Sequence, residues 1–369
     1  MTADANPSEY RTDRCMPRPP ETLGVTCHEP GRCFEGLTLC WSNWGTSAGL
    51  VDLDGTVVHR WKLEQGPRWH QVELLDNGHL LVVANEKPYS PRMISRHVLW
   101  ELDRDSNVVW RSFARCHHDA RRLDDGHTLV VANAPAQYRE LHDEPLIYDY
   151  LQELDADGGV CWNWHFAPHQ EELDLPDAPL IGAAHGDWPH INTVESLPTN
   201  AAGDLDERFR PGNVLVSPRH LHLIFIIDRD TDRIVWQWGL GEILGQHQPT
   251  MLPDGHILLF DNGRGPGPAQ PQFRGWSRVV EMDPLSGEIV WEYKTDPPTD
   301  FWTPVGSGNQ RLGNANTLIC AMNWGEPGRV FEVTPDGEIV WEYWNPEGGS
   351  FYRAYRYAPD SEALANLNL

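Results

Sequence analysis

The chain has no apolar run near the ~18 residues that span a bilayer; the longest, around Leu221 to Ile227, is interrupted by His222 and ends at Asp228. A helical membrane protein is therefore not expected. Positive charge is scarce as well, with 29 Lys and Arg against 54 Asp and Glu and a formal net charge of −25. Nucleic acid demands a basic footprint and an anionic membrane surface a basic patch, so neither is expected as a partner. The first twenty residues hold Asp4, Glu9 and Asp13 and no apolar core segment, and do not read as a secretory leader. Cysteine supplies no framework: seven residues, an odd number without regular spacing, suit reduced thiols and a cytoplasmic protein. Cys27-His28 followed by Cys33 lacks a second ligand pair at a matching spacing, which argues against zinc.

What is present is repetition. Asp54-Gly-Thr-Val-Val-His-Arg-Trp61 recurs in kind at Asp105–Ser112, Asp157–Trp164, Thr231–Trp238, Ser286–Tyr293 and Asp336–Tyr343. The sixth position of this motif falls at 59, 110, 162, 236, 291 and 341, a step of about 50 residues with one longer interval. Several short strands per unit at that period are the signature of a β-propeller. A second motif is a hairpin with a tight turn, seen in His70–His79, His118–His127 and His247–His256, with the two histidines nine apart. His190-Ile-Asn-Thr-Val-Glu begins a fourth copy, and a fifth, Ser307–Asn316, puts Ser in the first histidine's place.

The expected architecture is all-β: a six-bladed β-propeller of four-stranded blades over residues 35–358. Residues 1–34 are expected as an arm or disordered tail and 359–369 as a C-terminal tail. Phe351–Tyr357 reads as an innermost strand whose partners, Leu37 to Trp41, Gly49 to Leu53 and Thr56 to Trp61, lie at the other end of the chain. Pairing them closes the ring and removes exposed sheet edges. The long connections 134–147, 165–187 and 263–277 fall on one face, where binding loops on a rigid scaffold are found. Segment 165–187 reads equally as a lid or as a solvated insertion.

The first histidine of each hairpin opens an innermost strand, so His70, His118, His190 and His247 are expected to ring the channel mouth. His79, His127 and His256 follow Gly in tight turns on the other face and read as structural. Trp110, Trp162, Trp236, Trp291 and Trp341 share one strand position and read as packing between blades. Trp69, Trp188 and Trp302 precede the mouth and are candidates to line an aromatic pocket.

The ordered combination Gly186-Asp-Trp-Pro-His190-Ile-Asn192, then Val214-Leu-Val-Ser-Pro-Arg219, then Gln246-His247 through Phe260-Asp-Asn-Gly263, resembles the arylsulfotransferase family over residues 36–357. The resemblance implies a six-bladed propeller that moves a sulfuryl group from an aryl sulfate to a phenol, without a nucleotide donor or other cofactor. It implies His247 as the transiently sulfated nucleophile, Arg219 as the sulfuryl clamp, and His118 and His190 as assisting residues. A neutral imidazole can attack sulfur, a guanidinium fork can hold the oxygens, and imidazoles can move the phenolic proton. An aromatic small molecule is the expected partner, bound by His70, Asn192, Ser307 and Arg353 with Trp69, Trp188 and Trp302. The excess of negative charge calls for local positive charge at the pocket, which Arg219, Arg353 and Arg356 can supply.

Other readings of the same pocket are a lyase or hydrolase using the histidines as acid and base, and a non-catalytic scaffold. A third is a metal enzyme with a ligand set of His70, His118, His190 and His247. Against the metal, no repeated Glu stands out to support the ligands.

Overall fold

The computed structural model describes residues 19–42, 45–64, 66–85, 97–137, 145–175, 186–264, 274–322 and 326–369. The six-fold motif becomes six strands, Val57–Lys62, Val108–Ser112, Val160–His165, Ile234–Trp238, Ile289–Tyr293 and Ile339–Trp344. Each is the fourth strand of an antiparallel blade, and the fold is a six-bladed β-propeller. Trp110, Trp162, Trp236 and Trp291, at the sixth motif position, are only half-buried; Trp341 alone is fully buried. The packing position is the eighth: Trp61, Trp164, Tyr293 and Tyr343 are buried. The indoles there also tie neighbouring blades, with Nε1 donating to the carbonyls of Asp103 from Trp61, Asp232 from Trp164 and Gly287 from Trp238, at 2.9–3.0 Å.

The chain divides into two compact units, Met1–Phe113 with Tyr293–Leu369, and Ala114–Glu292. The second contains three blades whose first strands are Cys116–Arg122, Ile191–Ser196 and His247–Met251. Its apolar core is built between sheets, by Leu129, Val131, Leu151, Val194 and Phe225 on one side and Ile224, Ile226, Leu259 and Val280 on the other. Adjacent blades are joined by side chain to backbone bonds at the inner strands: Asp149 of a third strand accepts from Ile191 N (2.6 Å), Thr193 Oγ1 from Gln248 N (3.0 Å) and Glu195 from Met251 N (2.8 Å).

In the other unit the closure expected from the sequence is present. Phe351–Tyr357 pairs antiparallel with Leu37–Ser42, which pairs with Ser47–Val51 and then Val57–Lys62. Within the segment expected as an arm, Gly24–His28 adds a fifth strand outside Ile339–Trp344; residues 1–18 lie outside the described residues. Within the expected C-terminal tail, the helix Glu362–Leu367 buries Ala363, Leu364 and Leu367 in the core, and Asn366 Nδ2 donates to Asp76 O in the first hairpin turn.

A repeated Glu does exist, contrary to the sequence reading, but it serves the turn histidines. His79, His127 and His256 each place Nδ1 2.7 Å from the third-strand Glu101, Glu153 and Glu281. In the fifth copy Asn316 Nδ2 replaces the ring and meets Glu332 at 2.6 Å. These pairs fasten hairpin tips to their own sheets. Of the long connections, 138–144, 176–185 and 265–273 lie outside the described residues. The start of the 165–187 segment is docked on the following blade: Phe166 and Leu173 enter the core, Glu172 accepts from Ile234 N, and Asp174 N donates to Gln237.

Candidate active site

Every inner strand of the unit Ala114–Glu292 carries a bulge near its start, where register slips between 116/120, 191/193 and 247/250. A bulge re-aims the side chains around it. Left-handed backbone accompanies it at His118 (φ 58°), His190 (φ 61°) and Gln248 (φ 47°). Such conformations cost on the order of 1–3 kcal/mol each in a non-glycine residue and gather at functional sites.

His118 and His190 touch, Arg219 bonds the His190 backbone, and Arg219 and His247 both lie against Gly245. The rings of His118 and His190 meet edge to face with centroids 4.7 Å apart. Arg219 opens the turn Arg219–Leu221, and its backbone N donates to His190 O at 2.9 Å. Its guanidinium is buried, and a Cβ at Gly245 would lie 3.7 Å from its Nε. Asn192 Nδ2 donates to Gln246 O at 2.8 Å, and Gln246 Nε2 donates to Leu223 O at 2.6 Å, so the Gln-His pair is anchored to the preceding blade.

His247 is 2% exposed, and its Nδ1 faces two oxygens: Asn262 Oδ1 at 2.7 Å and Gly245 O at 3.1 Å. A carbonyl only accepts, so Nδ1 carries the proton, and in the neutral ring the lone pair is on Nε2. Gly245 is needed for this. Its φ is +66°, and a Cβ there would fall 2.1 Å from Arg264 O.

Two carboxylates stand behind the assisting histidines. Asp187 Oδ2 lies 2.6 Å from His190 Nδ1. Burial works against its charge, but the His190 ring and the hydrogen bond win, and its carboxyl is held well below the usual range. On the other side His117, 4% exposed, lies with Nδ1 2.5 Å from His118 Nδ1 and Nε2 3.0 Å from Asp149 Oδ1. Burial opposes charge on His117 as well, yet Asp149 outweighs it and the ring's pKa is raised. His220 stacks on His190 at 4.4 Å, and burial followed by His190 pushes its pKa far down. His222 accepts from Gly245 N through Nδ1 at 3.0 Å; burial and Arg219 lower its pKa to about 4. Thus His118 and His190 are the partly exposed rings, each backed by a buried histidine and a carboxylate.

The remaining sequence candidates take other places. Trp188 is fully buried against Tyr148 and Phe166 in the core of this unit, and Asn192 is buried in the anchor just described. In the other unit His70 packs on Tyr352 at 4.7 Å, and Arg353 is buried with its guanidinium 5.2 Å from the same ring's centre. Trp69 and Trp302 are buried there, and Ser307 Oγ bonds Thr303 Oγ1 at 2.7 Å and accepts from Met322 N. Arg356 is not a source of local positive charge as the sequence suggested: it is ion-paired with fully buried Glu332 and donates to Thr38 Oγ1 and Phe34 O.

Among the described residues, His, Cys, Asp and Glu donor atoms gather within 4.8 Å in two groups, His127–Glu153–Cys161 and Asp254–His256–Glu281, both at hairpin turns. Neither group includes His70, His118, His190 or His247. The residues that sequence reading missed are His117, Asp149, His220, His222 and the bonding role of Asn262. Their signals were the His117-His118-Asp119 doublet and the Asn of Phe260-Asp-Asn-Gly263, both adjacent to candidates.

The solved structures that the chain resembles are of low identity. A protein of unknown function from Bacteroides caccae is 15% identical, with 87% of this chain and 98% of that one covered and a TM-score of 0.58. A streptogramin B lyase is 12% identical over 87% and 82%, with a TM-score of 0.47. Apo AztD from Citrobacter koseri is 9% identical over 88% and 99%, with a TM-score of 0.46. No curated protein matches. The family model for arylsulfotransferase (ASST) matches residues 71–346, three-quarters of the sequence and the whole histidine and arginine network, and the chain belongs to the arylsulfotransferase family.

Proposed function

We propose that the protein transfers a sulfuryl group from an aryl sulfate to a phenolic acceptor through a sulfohistidine on His247, without a nucleotide donor. The observation that carries this reading is the pair of acceptors at His247 Nδ1. They direct the proton of the neutral ring to Nδ1 and leave the lone pair on Nε2, the atom that attacks. A neutral amide at Asn262, in place of a carboxylate, avoids stabilising an unreactive imidazolium.

In the first half-reaction Nε2 of His247 attacks sulfur, and the S–O bond to the aryl group breaks with its electrons on the phenolate. Arg219 holds the sulfuryl oxygens as charge redistributes. His118 and His190 donate to the departing oxygen and later take the acceptor's proton.

The test is intact-protein mass after brief incubation with 4-nitrophenyl sulfate. The expected result is an adduct of about 80 Da, one sulfuryl group, on the wild type and none on His247→Ala. A folded wild type that forms no adduct and releases no nitrophenolate overturns the proposal.

A further inference from the structure

We propose that His117, backed by Asp149, is the proton store that reloads His118, converting it from acid to base between the two half-reactions. This rests on the sulfuryl-transfer reading above and deepens it by dividing the labour between the histidines.

The geometry sets the direction of proton flow. His117 Nδ1 and His118 Nδ1 are 2.5 Å apart, so one nitrogen carries the proton and the other accepts it. His117 Nε2 lies 3.0 Å from Asp149 Oδ1, and the Ala132 carbonyl adds a second acceptor beside the same ring. A ring between acceptors is favoured with a proton on both nitrogens. His118 Nδ1 is then the acceptor, and its own proton sits on Nε2, across the ring from His117. His118 is the partly exposed member of the pair and His117 is buried behind it. Asp149 is held in place by its second oxygen, which accepts from Ile191 N at 2.6 Å, next to His190. The left-handed backbone at His118 permits this side-by-side arrangement of consecutive rings.

The step balances. As the S–O bond breaks, the phenolate oxygen takes the Nε2 proton of His118, while His118 Nδ1 takes the Nδ1 proton of His117. His118 ends as the neutral tautomer with a lone pair on Nε2, and His117 ends neutral with its proton on Nε2, the nitrogen 3.0 Å from Asp149 Oδ1. In the second half-reaction the acceptor phenol gives its proton to His118 Nε2, and the Nδ1 proton returns to His117. No other reactant is consumed. His117 never touches substrate in this scheme; it is a positioning residue that acts through His118.

Proton delivery matters in proportion to how poor the leaving group is. The test compares kcat/KM for phenyl sulfate, a poor leaving group, with that for 4-nitrophenyl sulfate, a good one, in wild type, His117→Gln and Asp149→Asn. The expected result is a loss of about 100-fold or more on phenyl sulfate and a few-fold on 4-nitrophenyl sulfate for both variants. The His247 adduct from 4-nitrophenyl sulfate, retained in both, shows that each variant folds. Equal losses on the two donors in either adduct-forming variant overturn the relay while leaving sulfuryl transfer intact. A wild type that forms no adduct fails earlier and overturns both.

Discussion

Asn262 Oδ1 lies 2.7 Å from Nδ1 of His247, and this contact fixes the tautomer of the buried ring. The two residues sit fifteen apart, on either side of one hairpin, so a single turn delivers both ring and acceptor.

Replacing that amide separates its two roles. Asn262→Ala leaves Gly245 O as the remaining acceptor at Nδ1, and a loss of about 10- to 100-fold in kcat is expected. Asn262→Asp keeps an acceptor but adds a charge that favours the imidazolium. Its kcat/KM profile is expected to shift about a pH unit or more to the alkaline side. An unshifted profile in Asn262→Asp shows that the amide's neutrality is irrelevant.

Asp187→Asn tests the partner of His190. The Asp187 carboxyl is held well below its ordinary value of 3.8, so its contribution to stability is present above that value and is lost as pH falls toward the folded one. Denaturant midpoints of wild type and variant should therefore differ at pH 7, on the order of 1–2 kcal/mol in favour of wild type, and converge in strong acid. Turnover should fall as well, because His190 loses the group that orients it.

His222 gives the same direction from a basic group, at higher pH. Burial and Arg219 lower its pKa from 6.5 to about 4, so the unfolded chain binds a proton that the folded ring refuses. Its contribution is fully present above pH 6.5 and is lost as pH falls toward 4. His222→Gln retains an acceptor for Gly245 N. It should be less acid-sensitive than wild type by about 2–4 kcal/mol across that window, read by urea unfolding at pH 7 and pH 4.5.

Trp164→Phe removes one blade-to-blade bond and little volume. With Asp232 O left without the indole donor, a loss of about 1–2 kcal/mol is expected by denaturant titration. Activity per folded molecule should stay near wild type, since Trp164 lies in the outer strand Val160–His165.

The fold was legible because its signal is redundant: six strand motifs and a matching leftover strand at each end of the chain leave little choice of topology. His118, His190, Arg219 and His247 were legible because they sit inside ordered motifs. Asp149 was not, because the third-strand position that brings it to His117 depends on register, and many Asp residues are scattered among strands and turns. Assigning inter-blade packing to the sixth motif position in place of the eighth had a related cause. Both positions carry aromatics, they point to the same side of the strand, and burial there depends on where the next blade lies. Arg356 looked like free positive charge because Glu332, its partner, belongs to a different strand.

The closing sheet also constrains synthesis. Leu37–Ser42 leaves the ribosome more than 300 residues before Phe351–Tyr357, the strand that covers its inner edge. Throughout translation that edge, Leu-Thr-Leu-Cys-Trp-Ser, is an open template for pairing with another chain. The unit Ala114–Glu292 is contiguous and is complete long before then. The nascent polypeptide therefore carries a finished arylsulfotransferase half and an unfinished half with an adhesive border, and premature termination anywhere before residue 351 leaves that border exposed for good.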